Sequence, residues 1–407
     1  MKIALVNKHL RLGGIETVVH QLRDGLLAHG HQCDLWFSEY NAEPRRAGCR
    51  PLYPRPLGRL EHSRFARFVE AVFPRRAWTG RAFQRLLAGD YDLVHVHGFD
   101  ETYAPLDALR ELSYVKPTVV TLHGAWFFTG GCGQPLDCRR YLTGCGSCPQ
   151  LGIWPIPTED NTAAQIARKA ALLGSAPITF VSPAQHLRDK ALCSAPGRNW
   201  KIDVLPNGVD CAFFSAARKT DASLRESFGV EPQATVVLAL CRDFRDPVKG
   251  FPLMREALAS LKTEHVILAG LNAPAVAREM PPDLRVSAFD FIADRRRCAE
   301  LYEIADVFLF SSLAETFPCV VLEAMSAGCC VVATPSESVS EQIAHGTSGL
   351  LAEACTGEAL GAELTRACRD RSLRQTLGEG ARARVQREFA EPVMIDRHLA
   401  LYARLLS

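Results

Sequence analysis

Ser311-Ser312-Leu313-Ala314-Glu315-Thr316-Phe317-Pro318-Cys319-Val320-Val321-Leu322-Glu323-Ala324-Met325-Ser326-Ala327-Gly328 reads as a polar loop feeding a helix. The apolar run 306–310 ahead of it has the length of a buried strand. Pro318 suits the first helical position, where its missing N–H is not needed. Glu323 then falls about a turn and a half into the helix, and Gly328 closes it. A strand whose carboxyl end feeds a helix N-terminus is where α/β proteins bind ligands. The unpaired amides of a first helical turn, with the helix dipole, favour an anion such as a diphosphate. A carboxylate placed there repels that anion unless it accepts hydrogen bonds from neutral hydroxyls. Glu315 before the helix and Glu323 within it fit that task on either side of the anion.

Outward from this stretch, short β-branched runs alternate with helical patterns, the signature of parallel α/β units. Residues 2–7 read as a buried strand, Arg11-Leu12-Gly13-Gly14 as a turn and 15–28 as a helix closed by Gly30. Ile15, Val18, Val19, Leu22 and Leu26 form one apolar stripe at helical spacing. Further strands are expected near 33–37, 92–97, 117–122, 178–182 and 202–205. A second series is expected near 235–240, 264–270, 285–289, 306–311 and 329–333. The turn Pro206-Asn207-Gly208-Val209-Asp210 separates the two. The expected domains are 1–206, 207–388 and a terminal helix, 389–407, that packs back on the first domain.

At 407 residues the chain exceeds one ordinary core. Its 47% hydrophobic and 23% charged residues are those of a globular protein, and a formal charge of +2 does not point to nucleic acid. No apolar run approaches the roughly 18 residues of a membrane span, and the N-terminus lacks the features of a signal peptide. A cytoplasmic protein is expected, peripheral at the inner membrane face if the basic stretch at 44–86 meets lipid. That stretch holds eleven arginines against Glu61 and Glu70. Phe65, Phe68, Val69, Val72 and Phe73 recur within it at helical spacing, as in an interfacial helix on an anionic membrane. A solvated excursion of the first domain is the plainer alternative.

The pattern E-x7-E, followed by Ala324-Met325-Ser326-Ala327-Gly328 and the strand Cys330–Thr334, resembles glycosyltransferase family 4 of the GT-B fold. Other landmarks agree in order: Gly13-Gly14-Ile15-Glu16, Tyr91 to His97, Leu122-His123-Gly124 and Asn207-Gly208-Val209-Asp210. The resemblance implies an α/β protein of two Rossmann-like domains whose parallel sheets face each other across a cleft. It implies a retaining transferase that moves a sugar from a UDP- or GDP-linked donor to a hydroxyl acceptor. That acceptor is a polysaccharide, lipid-linked or natural-product intermediate.

The same resemblance assigns roles. Glu323 matches the ribose ligand, Glu315 the residue at the donor sugar, and the amides around Thr316, Phe317 and Cys319 the diphosphate cradle. Gly13 and Gly14 leave room for a phosphate or sugar. His123 matches the histidine that hydrogen-bonds the donor sugar. Lys249, with Arg242 or Arg245, supplies the phosphate cations, so that no catalytic metal or other cofactor is expected. His95 and His97 are placed on opposite faces of their strand and read as structural. A sugar-nucleotide 2-epimerase on the same fold, or a non-catalytic scaffold, are the competing readings. The E-x7-E helix and the intact Glu315, Glu323, His123 and Lys249 weigh against them.

Cys132, Cys138, Cys145 and Cys148 form C-x5-C-x6-C-x2-C within the loop 126–151. Four thiolates meet the ligand count of a structural zinc site, although the first pair is spaced more widely than usual. Disulfides and free thiols are the other two readings.

Overall fold

The computed structural model describes residues 1–10, 13–38, 47–52, 83–99, 101, 104–214 and 221–407. Most of the basic stretch at 44–86, with its five apolar positions, lies outside the described residues. The chain divides into two compact units, Met1–Pro206 with Met394–Ser407, and Asn207–Val393.

The first unit is built on β1 (Lys2–Asn7), β2 (Gln32–Phe37), β3 (Cys49–Pro51), β4 (Leu93–Val96), β5 (Thr118–Thr121), β6 (Ile178–Ser182) and β7 (Lys201–Val204). They pair in parallel in the order β3-β2-β1-β4-β5-β6-β7. Strands buried on both faces read as continuous apolar runs, and Ile3–Val6 and Leu93–Val96 are buried throughout. The helix Gly14–Ala28 covers β1 with its expected stripe, of which Val18, Val19, Leu22 and Leu26 are buried. Gly30, at φ 77°, closes that helix: its amide bonds Leu27 O and the His31 amide bonds Leu26 O, the Schellman pair. Tyr402 and Leu401 of the helix Glu391–Leu406 enter the same core as Ile3, Leu5 and Val119.

The second unit carries β8 (Val236–Asp243), β9 (His265–Leu271), β10 (Arg285–Phe289), β11 (Val307–Phe310), β12 (Cys330–Ala333) and β13 (Leu350–Leu351). Their order is β10-β9-β8-β11-β12-β13, again parallel. Both sheets therefore contain the Rossmann order 3-2-1-4-5-6, reversing between β1 and β4 in one and between β8 and β11 in the other. The short edge strands β3 and β13 have no counterpart in the sequence expectations. Among the described residues, no helix is long and apolar enough to cross a membrane.

Two departures concern the decisive stretch and the strand before Lys249. The helix runs Cys319–Ser326 with Pro318 as its extended N-cap (ψ 119°), one residue outside the first helical position. β8 continues past its expected end to Asp243 because it is bulged: Leu240 pairs Ala269 and Asp243 pairs Leu271. Three residues thus span what two span on β9, a change that re-aims side chains beside a site. Gly270 makes the bulge feasible. It sits at φ 144°, and a Cβ there would lie 1.9 Å from Cys241 O. Gly270→Ala should therefore destabilise the second unit by more than about 1 kcal/mol, seen as a lowered midpoint in thermal or urea unfolding.

Candidate functional site

Polar groups in each unit gather where the strand order reverses. In the second unit, β8 leads into a single 3-10 turn, Pro247–Lys249, capped by the Asp246 carboxylate on the Val248 amide at 3.0 Å. Gly250 follows at φ 65°, and a Cβ there would lie 2.1 Å from Ser311 O. That close approach brings the loop after β8 against the loop after β11. Ser311 Oγ donates to Lys249 O at 2.7 Å, and the Leu313 amide to Val248 O at 2.8 Å. Thr334 Oγ1 donates to Ser312 O at 2.6 Å from the β12 side.

The loops so joined set Lys249 Nζ 2.7 Å from Glu315 Oε1, each side chain about a fifth exposed (20% and 19%). Burial opposes the charge on Lys249, but Glu315 outweighs it, with help from Asp246, and the ammonium is held above the usual lysine range. Arg245 is committed elsewhere, paired with Glu279 at 2.5 Å. Arg242 is exposed on the bulged end of β8, without a side-chain partner among the described residues.

Glu323 lies in the second turn of the helix Cys319–Ser326. Burial raises its pKa above the ordinary glutamate range, against the Tyr302 hydroxyl, which donates to Glu323 Oε2 at 2.8 Å, and Arg295. Phe317 is buried against Phe389, and the carbonyls of Phe317 and Pro318 are braced by Asn207 Nδ2 (3.0 Å) and Gln342 Nε2 (3.1 Å). These braces present the helix N-terminus, whose first amides have no intrahelical acceptor. Cys319 is its first residue, and burial pushes its thiol up to about 12, leaving it protonated. Gly328 closes the helix at φ 72°, with Gly328 N on Met325 O and Cys329 N on Ala324 O.

In the first unit, Gly13 and Gly14 are exposed at the start of the helix Gly14–Ala28. Gly13 is extended (φ −176°), so its backbone does not demand glycine. Asn7, at the end of β1, donates to Glu16 Oε1 (3.1 Å) and His9 O (2.8 Å). Gly98, at φ 40°, leaves room for it, since a Cβ there would meet Asn7 Oδ1 at 2.3 Å.

His123 follows β5, with Nε2 3.0 Å from His97 Nδ1. The rings of His95 and His97 lie 4.0 Å apart. Their placement on opposite faces is therefore wrong: residues two apart in a strand share a face. Burial lowers all three histidines, His123 to about 3, so the imidazoles are neutral near pH 7.

Beyond His123, the four cysteines of the loop line one cavity of about 20 Å³ together with Arg140, room for about one water. Cys145 Sγ accepts from the Gly130 amide at 3.2 Å and Cys148 Sγ from Gln150 N at 3.4 Å. Among the described residues, no three His, Cys, Asp or Glu side chains are arranged to hold a metal ion. All four thiols of the C-x5-C-x6-C-x2-C pattern nonetheless line that one cavity.

Two parallel sheets in Rossmann order, each with polar residues at its reversal, define the GT-B class. The model described as "Glycosyl transferases group 1" matches residues 225–384, and "Glycosyltransferase Family 4" matches residues 12–213. The chain belongs to glycosyltransferase family 4.

It is similar to the putative colanic acid biosynthesis glycosyl transferase WcaC of Escherichia coli, 31% identical over 56% of this chain and 54% of that protein. It is also similar to D-inositol 3-phosphate glycosyltransferase 1 of Catenulispora acidiphila, 26% identical over 77% of this chain and 72% of that one. The chain spans about half the length of WcaC and of a second inositol-phosphate relative, from Jonesia denitrificans. Sucrose-phosphate synthase from Thermosynechococcus elongatus has the same fold, with a TM-score of 0.74 at 20% identity over 99% of this chain and 98% of that one. So does Anabaena HepE, solved with UDP-glucose, with a TM-score of 0.73 at 18% identity over 99% and 100%.

Because Glu315 is what keeps Lys249 charged against burial, Glu315→Gln should lower the lysine's pKa. Amine-directed acylation of Lys249, followed by mass spectrometry across a pH series, should begin at lower pH in the variant than in the parent.

Proposed function

We propose that the chain is a retaining glycosyltransferase that moves a sugar from a nucleoside-diphosphate sugar to a hydroxyl acceptor. The observation that carries this reading is the Lys249–Glu315 pair, joined to the loop that leads into the helix Cys319–Ser326 at the reversal of the second sheet. A diphosphate needs cations and free amides; a sugar and a ribose need acceptors for hydroxyls. Lys249 and Arg242 supply the cations, Arg245 being taken by Glu279. The amides of the loop from Thr316 and of the first helical turn supply the donors. Glu315 accepts from the sugar, and Glu323, held by Tyr302, accepts from the ribose. The family resemblance assigns His123 to the donor sugar, where a neutral imidazole is the form its burial favours.

In this reading the acceptor hydroxyl bonds to the anomeric carbon on the face from which the diphosphate leaves. One C–O bond forms as another breaks, and the acceptor proton passes to a leaving phosphate oxygen. Cationic stabilisation of that leaving charge is worth several kcal/mol. The UDP-glucose bound by HepE supports a nucleoside-diphosphate sugar as donor, and the colanic-acid name of WcaC supports a polysaccharide intermediate as acceptor.

Lys249→Ala and Glu315→Ala should each lower turnover at least about 100-fold, and near-normal rates in both would overturn the assignment. Arg242→Ala should cost far more activity than Arg245→Ala. The anomeric proton coupling of the product, read by NMR, tests retention directly. Nucleoside diphosphate affinity, measured by calorimetry, should fall as pH is lowered, beginning above the ordinary glutamate range. Burial raises Glu323, and its protonated form is the poorer acceptor. Glu323→Gln should flatten that dependence.

A further inference from the structure

Four imidazoles are packed together in the first unit: His95 in β4, His97 just past its end, His123 after β5, and His398 on the C-terminal helix. The ring centroids are 4.0 Å apart for His95 and His97, 5.3 Å for His97 and His123, and 5.7 Å for His95 and His398. They stack and tilt rather than converge, consistent with the lack of any metal-holding group among the described residues.

The rings of His95 and His398 are held by neighbouring groups. His95 Nδ1 meets the Tyr402 hydroxyl at 2.6 Å, and its Nε2 meets Thr121 Oγ1 at 2.7 Å. His398 Nδ1 meets Met394 O at 2.8 Å. His97 differs. Its Nδ1 faces His123 Nε2 at 3.0 Å, while its own Nε2 is buried without a partner among the described residues.

Two neutral imidazoles joined nitrogen to nitrogen share one proton, so one ring donates and the other accepts. If His123 donated from Nε2, His97 would carry its proton on Nε2, a buried N–H with no acceptor among the described residues. Orphaned N–H groups are the rarest kind in folded proteins. If His97 donates from Nδ1, only a bare lone pair is left at Nε2, and the N–H is satisfied. Protonating either ring to create a second donor is opposed by burial and by the neighbouring histidines.

We infer that His97 is a positioning residue: its Nδ1–H fixes the ring of His123 and leaves His123 as the tautomer protonated on Nδ1. His97 is itself packed against the ring of His95, tilted 36° to it, which Tyr402 and Thr121 clamp from both sides. The C-terminal helix thereby helps set the hydrogen-bonding form of a residue 279 positions before Tyr402. The inference rests on the reading of His123 as a donor-sugar ligand only for its effect on rate; the tautomer itself is independent of that reading.

The test is nitrogen-15 NMR of the histidine side chains in the full chain, with His123 assigned through His123→Gln. A protonated-type Nδ1 and a bare-type Nε2 on His123 are expected; the reverse pattern overturns the inference. His97→Leu should mix the two tautomers and lower kcat at least tenfold, with less than a threefold change in the donor KM. His97→Asn keeps a side-chain N–H near the Nδ1 position and should recover most of the rate. An unchanged His123 spectrum in His97→Leu overturns the positioning role, as does a rate loss that His97→Asn does not relieve. If the wild-type tautomer is as expected but His123→Gln turns over normally, the positioning role stands and the assignment of His123 to the sugar fails.

Discussion

In a parallel sheet all carboxyl ends lie along one edge, and the loops leaving neighbouring strands ordinarily run the same way. Where the strand order reverses they run apart and leave an uncovered crevice. In this chain the reversal falls between β1 and β4 in one unit and between β8 and β11 in the other. Strands buried on both faces cannot hold unpaired polar side chains along their length. Asn7, His97, Lys249 and Glu315 accordingly all sit at or just past strand ends.

The two reversals solve the problem of buried polarity differently. The second unit uses charge. Glu315 keeps Lys249 ionised against desolvation, while Glu323, without a cation that close, is pushed toward its neutral form and takes a hydroxyl donor from Tyr302. Two carboxylates eight residues apart thus meet different partners, an ammonium at Glu315 and a hydroxyl at Glu323. The first unit instead gathers imidazoles, which escape the charge penalty by remaining neutral and by exchanging hydrogen bonds with one another.

Much of this was legible in the sequence because it depends on local chemistry. Strand runs, the Gly30 and Gly328 closures and the E-x7-E helix are set by residues within a turn or two of each other. What escaped depends on contacts between distant segments. Asn207 reads as a turn residue, yet its side chain braces Phe317. Gln342 carries no motif, yet it braces Pro318. The bulge that re-aims Arg242 is set by Gly270, some thirty residues on, and β3 and β13 are too short to show a period. His95 and His97 need no distant contact to share a face, since strand alternation alone puts residues two apart on one side.

His123 shows how such distant contacts accumulate on one side chain. Its ring is met by His97 from β4, and its backbone is confined from the other direction. The Ala125 amide donates to Gly133 O at 2.8 Å, and a Cβ on Gly124 would come within 2.9 Å of that same oxygen. The turn Trp126–Phe128 that follows is held by Lys169, whose buried ammonium donates to Trp126 O and Thr129 O and lies 3.6 Å from the Trp126 ring centre. Burial lowers that lysine to about 7, so its charge is the weak point of the brace. Lys169 thus ties the start of the long loop to the helix Thr162–Leu173, next to the Gly124–Ala125 link that leads back to His123. The histidine is therefore positioned twice, by a ring contact that selects its tautomer and by a backbone contact that selects its place.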